Sequence, residues 1–186
     1  VLNITDNSFY DGGKFNNLDK SIEHAKKIIQ EGADIIDIGA ESSKPGSESV
    51  PSLEQVKKLE PVVEAIREIS DIPISIDTRS SEVINKLVRY KINIVNDISS
   101  LEDTELLDII KSNNLSVSLM HMKGSPRNMQ DNPSYKNVIN EIFLYLERKA
   151  KICINNGIDK KKIIIDPGFG FGKTLEHNYI ILNNLK

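Results

Sequence analysis

The alternation of two periodicities constrains this chain more than any other feature. Six times, a short strand-length run of β-branched and other apolar residues gives way to a stretch with apolar residues every three or four positions. Val1–Ile4 is the first run, and a polar loop, Thr5–Asn17, follows it with Asp11-Gly12-Gly13 as its turn signal. Leu18, Ile22, Ala25 and Ile29 then predict a helix that Gly32 stops. Asp34–Gly39 is the second strand, and loop Ala40–Pro51 leads into a helix marked by Leu53, Val56, Leu59, Val63 and Ile66, which Pro61 is expected to bend. Pro73–Asp77 precedes helix Ser81–Tyr90, and Ile92–Asp97 precedes helix Thr104–Ser112. Leu115–His121 precedes a long helix, Val138–Ile154, closed by Gly157. The sixth unit opens on the β-branched run Ile163–Ile165, expected to be buried, and its helix spans Leu175–Leu185.

Serial βα units predict a parallel sheet, either open and doubly wound or closed as a (β/α)₈ barrel. The positions of the unusual residues separate the two. Asn3, Glu41, Asp77, Asn96-Asp97, His121 and Asp166 stand at or just past the carboxyl ends of all six strands. An open sheet needs such ends only at its switch point, whereas every strand of a barrel lines one mouth. The sequence therefore predicts an α/β TIM barrel, as a single domain over residues 1–186. A barrel takes eight units and ~250 residues, so the chain reads as six units of the eight, with the last two lacking and the first strand entered late.

Composition narrows the function. A net charge of -3 gives no reason to expect nucleic acid or an anionic membrane as partner. No apolar run is long enough to span a bilayer. The single cysteine, Cys153, excludes an internal disulfide framework and fits a reducing compartment, so the expected location is cytoplasmic. His24, His121 and His177 are too scattered for a local zinc cluster.

The densest chemistry lies in Ile163–Thr174. Asp166 ends the strand, Pro167-Gly168 breaks the chain, and Gly168, Gly170 and Gly172 allow close backbone approach to a flat ligand that Phe169 and Phe171 can face. A phosphate loop ending in Gly172-Lys173-Thr174 would need glycine where Pro167 stands, and G-x-G-x-G is not the dinucleotide fingerprint. Asp77 and Asp166, with Asn96 between them in strand order, form a trio expected to converge on a barrel mouth. Carboxylates accept paired donors, and an amide adds one donor and one acceptor, so the trio suits a flat, nitrogen-rich heterocycle. Each carboxylate taken alone serves equally well as a helix cap. Asn3 offers a hard oxygen suited to magnesium, or a turn-forming side chain. Ser42-Ser43-Lys44-Pro45-Gly46 can hold an anion or be a solvated loop. His121 reads as a rim histidine rather than a catalytic one, and Met120 and Met122 as packing.

In order along the whole chain, these segments resemble dihydropteroate synthases. Leu2-Asn3-Ile4-Thr5 with Asn7-Ser8-Phe9 and Asp11-Gly12-Gly13 is similar to that family's first strand and loop. Ile36-Asp37-Ile38-Gly39 with Glu41-Ser42-Ser43-Lys44-Pro45-Gly46 is similar to its second. Ile76-Asp77-Thr78, Asn96-Asp97-Ile98, Leu119-Met120-His121-Met122 and Asp166–Lys173 follow in turn. The resemblance implies a barrel that joins a pterin diphosphate to p-aminobenzoate, releasing pyrophosphate, in folate synthesis. It implies pterin contacts from Asp77, Asn96, Asp166, Met120, Gly170 and Phe171, with Asp77 also catalytic. It implies Mg²⁺ held through Asn3 and a loop bearing Ser43 and Lys44 beside the diphosphate and p-aminobenzoate. A homodimer and sensitivity to sulfonamides are further implications, and the chain alone is expected to lack turnover. Asp6-Asn7 stands where the family commonly has Pro-Asp, Ala40 where it has Gly, and Ser43-Lys44 where it has Thr-Arg. Lysine lacks the bidentate fork of arginine. A non-catalytic pterin-binding paralogue and a methyl transferase acting between a folate and a corrinoid protein are the alternative readings.

Overall fold

A computed structural model describes residues 1–4 and 14–185, with side chains from residue 18 onward in the second stretch. The motif residues from Thr5 to Gly13 lie outside the described residues. The strands are β1 (Leu2–Asn3), β2 (Ile36–Gly39), β3 (Ile74–Asp77), β4 (Ile94–Asp97), β5 (Ser116–Met120) and β6 (Ile163–Asp166). The helices are α1 (Lys14–Gln30), α2 (Ser52–Ile69), α3 (Ser81–Leu87), α4 (Glu105–Ser112), α5 (Val138–Asn155) and α6 (Leu175–Asn183). The chain divides into two compact units, one of Val1–Ser42 with Ser49–Asn96 and one of Ser43–Glu48 with the chain from Asp97 onward.

In the first unit β1, β2, β3 and β4 pair in parallel, in sequence order. Alternation along these strands sends Leu2, Ile36, Ile38, Ile74, Ile76 and Val95 to one face, where each is at most 1% exposed. Helix α2 buries Val56, Leu59, Val62, Val63 and Ile66, the stripe that a period of 3.6 produces. Removing a side chain such as Leu59 or Ile66 from water contributes about 2 kcal/mol before chain entropy is counted. Pro61 lies inside α2, and the helix runs through it as one element. Helix α3 starts on Ser80, whose hydroxyl accepts from the Val83 N–H at 3.4 Å. It is shorter than its sequence pattern: the last turn, Val88–Tyr90, tightens to 3₁₀ before Lys91 adopts φ 55°. Helix α1 begins at Lys14, inside the stretch expected as loop.

In the second unit β5 and β6 pair in parallel, Val117 to Ile163 through Met120 to Asp166. Helix α5 starts on Asn137, whose side chain accepts from the Asn140 N–H at 3.0 Å. It buries Val138, Ile142, Leu146 and Cys153. Burial pushes the Cys153 thiol up to about 11. Helix α6 opens with a capping box: the Thr174 hydroxyl accepts from the His177 N–H, and His177 Nδ1 accepts from the Thr174 N–H. Strand β6 departs from the buried strand that its sequence predicts. The run Ile163–Ile165 is not a buried strand, since Ile164 and Ile165 are 45% and 48% exposed. Among the described residues β6 pairs with β5 alone, so its apolar side chains are covered on one side only.

Candidate active site

Asn3, Gly39, Asp77 and Asn96 are successive register partners across β1, β2, β3 and β4. Partners in a parallel pair point to the same face, so three of the expected site residues stand in one row. The fourth member is the gap in that row. A Cβ on Gly39 would lie 3.2 Å from Asp77 Cβ and 3.3 Å from its Oδ2, so the glycine leaves the space that the Asp77 carboxylate uses. Asn96 carries a contact that sequence reasoning missed. Its amide nitrogen donates to both carboxylate oxygens of Asp37, 3.3 Å to each. Asp37 sits between Ile36 and Ile38, and a carboxylate inside an apolar strand was the available signal.

The neighbouring loops are tied to this row. Glu41 Oε1 accepts from Arg79 at 2.5 Å and from the Val50 N–H at 3.2 Å. Gln55, 3% exposed, accepts from the Thr78 hydroxyl at 2.8 Å and donates to the Val50 carbonyl at 2.8 Å. Glu41 is therefore a loop clamp. Asp97, the other polar strand end, faces away from ligand chemistry altogether. It is fully buried and accepts from the Ser99 hydroxyl (2.7 Å), the Ser99 N–H (2.8 Å) and the Leu101 N–H (2.6 Å). Burial pushes its carboxyl above the usual range, and these hydrogen bonds work against that rise.

In the second unit Asp166 ends β6 and accepts the Gly168 N–H at 2.7 Å, while its carbonyl accepts the His121 N–H at 3.0 Å. Gly168 has φ 70°, and a Cβ there would lie 2.1 Å from the His121 carbonyl oxygen, so only glycine fits. The Gly170 N–H donates to Asn178 at 2.9 Å, and Gln130 donates to the Gly170 carbonyl. The Phe171 N–H donates back to the Gly168 carbonyl at 3.1 Å, and its side chain is half-buried. Met120 is buried at the end of β5. Ser43 is half-buried and Lys44 exposed, on a turn whose Gly46 N–H donates to the Pro126 carbonyl at 2.9 Å.

Lys173 organises this turn, and the sequence did not disclose it. It is 3% exposed, and its ammonium reaches the Phe171 carbonyl (2.9 Å), the His121 carbonyl (3.0 Å) and His121 Nδ1 (3.1 Å). Three donors meet three acceptors. Burial lowers the Lys173 pKa to about 8, with Asp166 pulling the other way. His121 Nδ1 must accept, which places the imidazole proton on Nε2. Burial, and then the Lys173 charge, lowers the His121 pKa to about 4, so this ring is neutral at pH 7. An open cleft of about 460 Å³ beside His121, Tyr135 and Tyr145 is lined by none of the expected pterin contacts.

Across residues 1–186 the chain matches the family described as pterin binding enzyme. The chain belongs to that family. Within it, the dihydropteroate synthase of Haemophilus influenzae is 40% identical over 185 residues, covering all of this chain and 67% of that protein. The Escherichia coli K12 dihydropteroate synthase is 43% identical, with 66% of its length covered. The chain thus spans about two thirds of the length of these curated relatives. A crystal structure of Yersinia pestis dihydropteroate synthase with a sulfonamide drug complex superimposes with a TM-score of 0.91 at 41% identity, covering 99% of this chain and 67% of that one. The Clostridium difficile enzyme in the presence of pteroic acid gives 0.90 at 37% identity, covering 99% and 68%. The fold class is accordingly that of this family, the TIM barrel, with six of its βα units in the chain.

Proposed function

We propose that this chain carries the pterin-binding part of a dihydropteroate synthase, a transferase of folate synthesis. The reaction joins p-aminobenzoate to 6-hydroxymethyl-7,8-dihydropterin diphosphate. The observation that carries this reading is the row Asn3–Gly39–Asp77–Asn96, which sets a carboxylate and two amides side by side at strand ends. Identity of 40% and 43% to dihydropteroate synthases over the whole chain supports the substrate class.

In this reading Asp77, Asn96 and Asp166 bind the pterin ring through its N–H donors, and Met120, Gly170 and Phe171 line its faces. The C–O bond to the diphosphate breaks with its electron pair leaving on oxygen, and the arylamine nitrogen then forms the new C–N bond and loses a proton. Asp77 stabilises the positive charge that the pterin carries between those events. Ser43 and Lys44 serve the diphosphate and p-aminobenzoate side. The donor set fits magnesium in a limited way: Asn3 gives one exposed amide oxygen, and among the described residues no three His, Cys, Asp or Glu side chains form a metal site. A cation that keeps its waters and takes phosphate oxygens needs little more from the protein. Bound there, Mg²⁺ supplies charge neutralisation for the departing pyrophosphate. Among the described residues no helix is long and apolar enough to cross a membrane. A cytoplasmic homodimer inhibited by sulfonamides completes the proposal.

The test is pyrophosphate release by the full-length protein given both substrates and magnesium. Turnover that requires p-aminobenzoate is the expected result. Pterin binding without any turnover would favour a non-catalytic paralogue, and absence of both would overturn the proposal.

A further inference from the structure

Asp37 and Asn96 lie on β2 and β4, with β3 between them, yet their side chains meet. Register explains how. Asp37 pairs with Ser75, a small residue on β3, so its carboxylate can extend across that strand toward Asn96 without obstruction. Gly39, the next residue on the same face of β2, adds no side chain above it. The contact joins residues 59 apart in sequence, and no local turn chemistry produces it.

The chemistry of the pair settles which way the Asn96 amide points. A carboxylate offers only acceptors, so the nitrogen of the amide, not its oxygen, must face Asp37. The equal separations of 3.3 Å describe a donor shared between two oxygens. With Nδ2 held inward, Oδ1 is turned away from Asp37, and no residue among those described donates to it. An asparagine left alone can present either a donor or an acceptor to a ligand, and this one is committed to the acceptor.

Resting on the pterin reading above, we propose that Asp37 is a positioning residue that makes Asn96 an acceptor for a ring N–H. Asp37 does not touch the ligand. It removes the alternative amide orientation, in which Asn96 would favour a ring presenting a bare lone pair at that edge. Selectivity between two flat heterocycles of the same size then comes from a residue one strand removed from the contact.

The test exchanges the two groups. Asn96→Asp alone sets two carboxylates against each other and should weaken 6-hydroxymethylpterin binding by about 100-fold in titration calorimetry. Asp37→Asn alone releases the amide at position 96 to turn over and should weaken it about tenfold. The double exchange, Asp37→Asn with Asn96→Asp, restores a donor–acceptor pair and again offers the ligand an acceptor. It should bind within about fivefold of the parent protein. A double exchange no better than the weaker single variant overturns the inference, as does unchanged affinity in Asp37→Asn. If Asn96→Asp does not fold, the same question is put by Asp37→Ala in an Asn96→Ala background. No further loss is expected there, and a persistent loss would show that Asp37 acts by another route. A parent protein that does not bind the pterin at all removes the underlying site assignment and the inference with it, whereas failed rescue in a binding-competent protein removes the inference alone.

Discussion

The two units present their expected ligand-binding groups in opposite ways. In the first, the groups stand on regular strands, and polar side chains hold one another: Asn96 by Asp37, Glu41 by Arg79, Thr78 by Gln55. In the second, the groups sit on an irregular turn whose backbone is fixed by glycine approaches and by one buried cation, Lys173. The first arrangement separates shape from chemistry. A strand stays in place when one side chain changes, and the loss is confined to a contact. The second makes them inseparable, because the atoms that hold the turn are backbone atoms of the residues expected to bind.

That contrast predicts a graded set of outcomes. The largest concerns Gly168→Ala, where the new Cβ would overlap the His121 carbonyl at 2.1 Å and φ is 70°. The turn must move, at a cost of about 4 kcal/mol in urea denaturation. Near-parental stability would mean that the turn is as tolerant as the first unit's strands. Next is the response to acid. The folded His121 pKa of about 4 lies below the 6.5 of the free side chain. Its contribution is present above pH 6.5 and is lost as pH falls toward 4, on the order of 3 kcal/mol in all. His121→Gln should flatten that part of the stability profile, and Lys173→Met should raise the imidazole pKa measured by NMR. An unmoved titration in Lys173→Met would break the claimed contact.

Asp166→Asn is expected to act on binding. It exchanges an acceptor for an amide that can present a donor to a ring N–H, and should weaken pterin affinity by about 2 kcal/mol in calorimetry. Unchanged affinity would exclude Asp166 from ring recognition. The smallest effect falls in the first unit. Glu41→Gln keeps the size of the clamp and loses its charge, and should cost about 1 kcal/mol in stability. A loss as great as that of Gly168→Ala would erase the distinction between the units.

The same distinction marks what the sequence could disclose. The placement of Asp77, Asn96 and Asp166 at strand ends was legible because each closes an apolar run. Asn3 joins the same row for the same reason. Lys173 was not legible: once the phosphate-loop spacing fails at Pro167, nothing local gives this lysine a role, and only tertiary contact makes it a buried donor to His121. Asp37 stood out as a carboxylate inside an apolar strand, but its partner Asn96 was hidden, because their contact crosses β3 and local pattern does not encode that. Element positions followed periodicity closely, and the boundaries that shifted have local causes, such as the left-handed Lys91 after the 3₁₀ turn. The burial of Ile164 and Ile165 was misjudged because composition reports what a strand can bury, not how many neighbours it has.

Cys153 has a practical consequence. It is the one cysteine of the sequence, it is wholly enclosed on α5, and its thiol is held near 11, so almost none of it is the thiolate that reacts with alkylating reagents. A thiol introduced at an exposed position away from the expected site, such as Lys26 or Lys151, would therefore be the only one to take a maleimide dye or a nitroxide. Fluorescence or spin-label mobility at that site could then be recorded with no need to remove a native cysteine first.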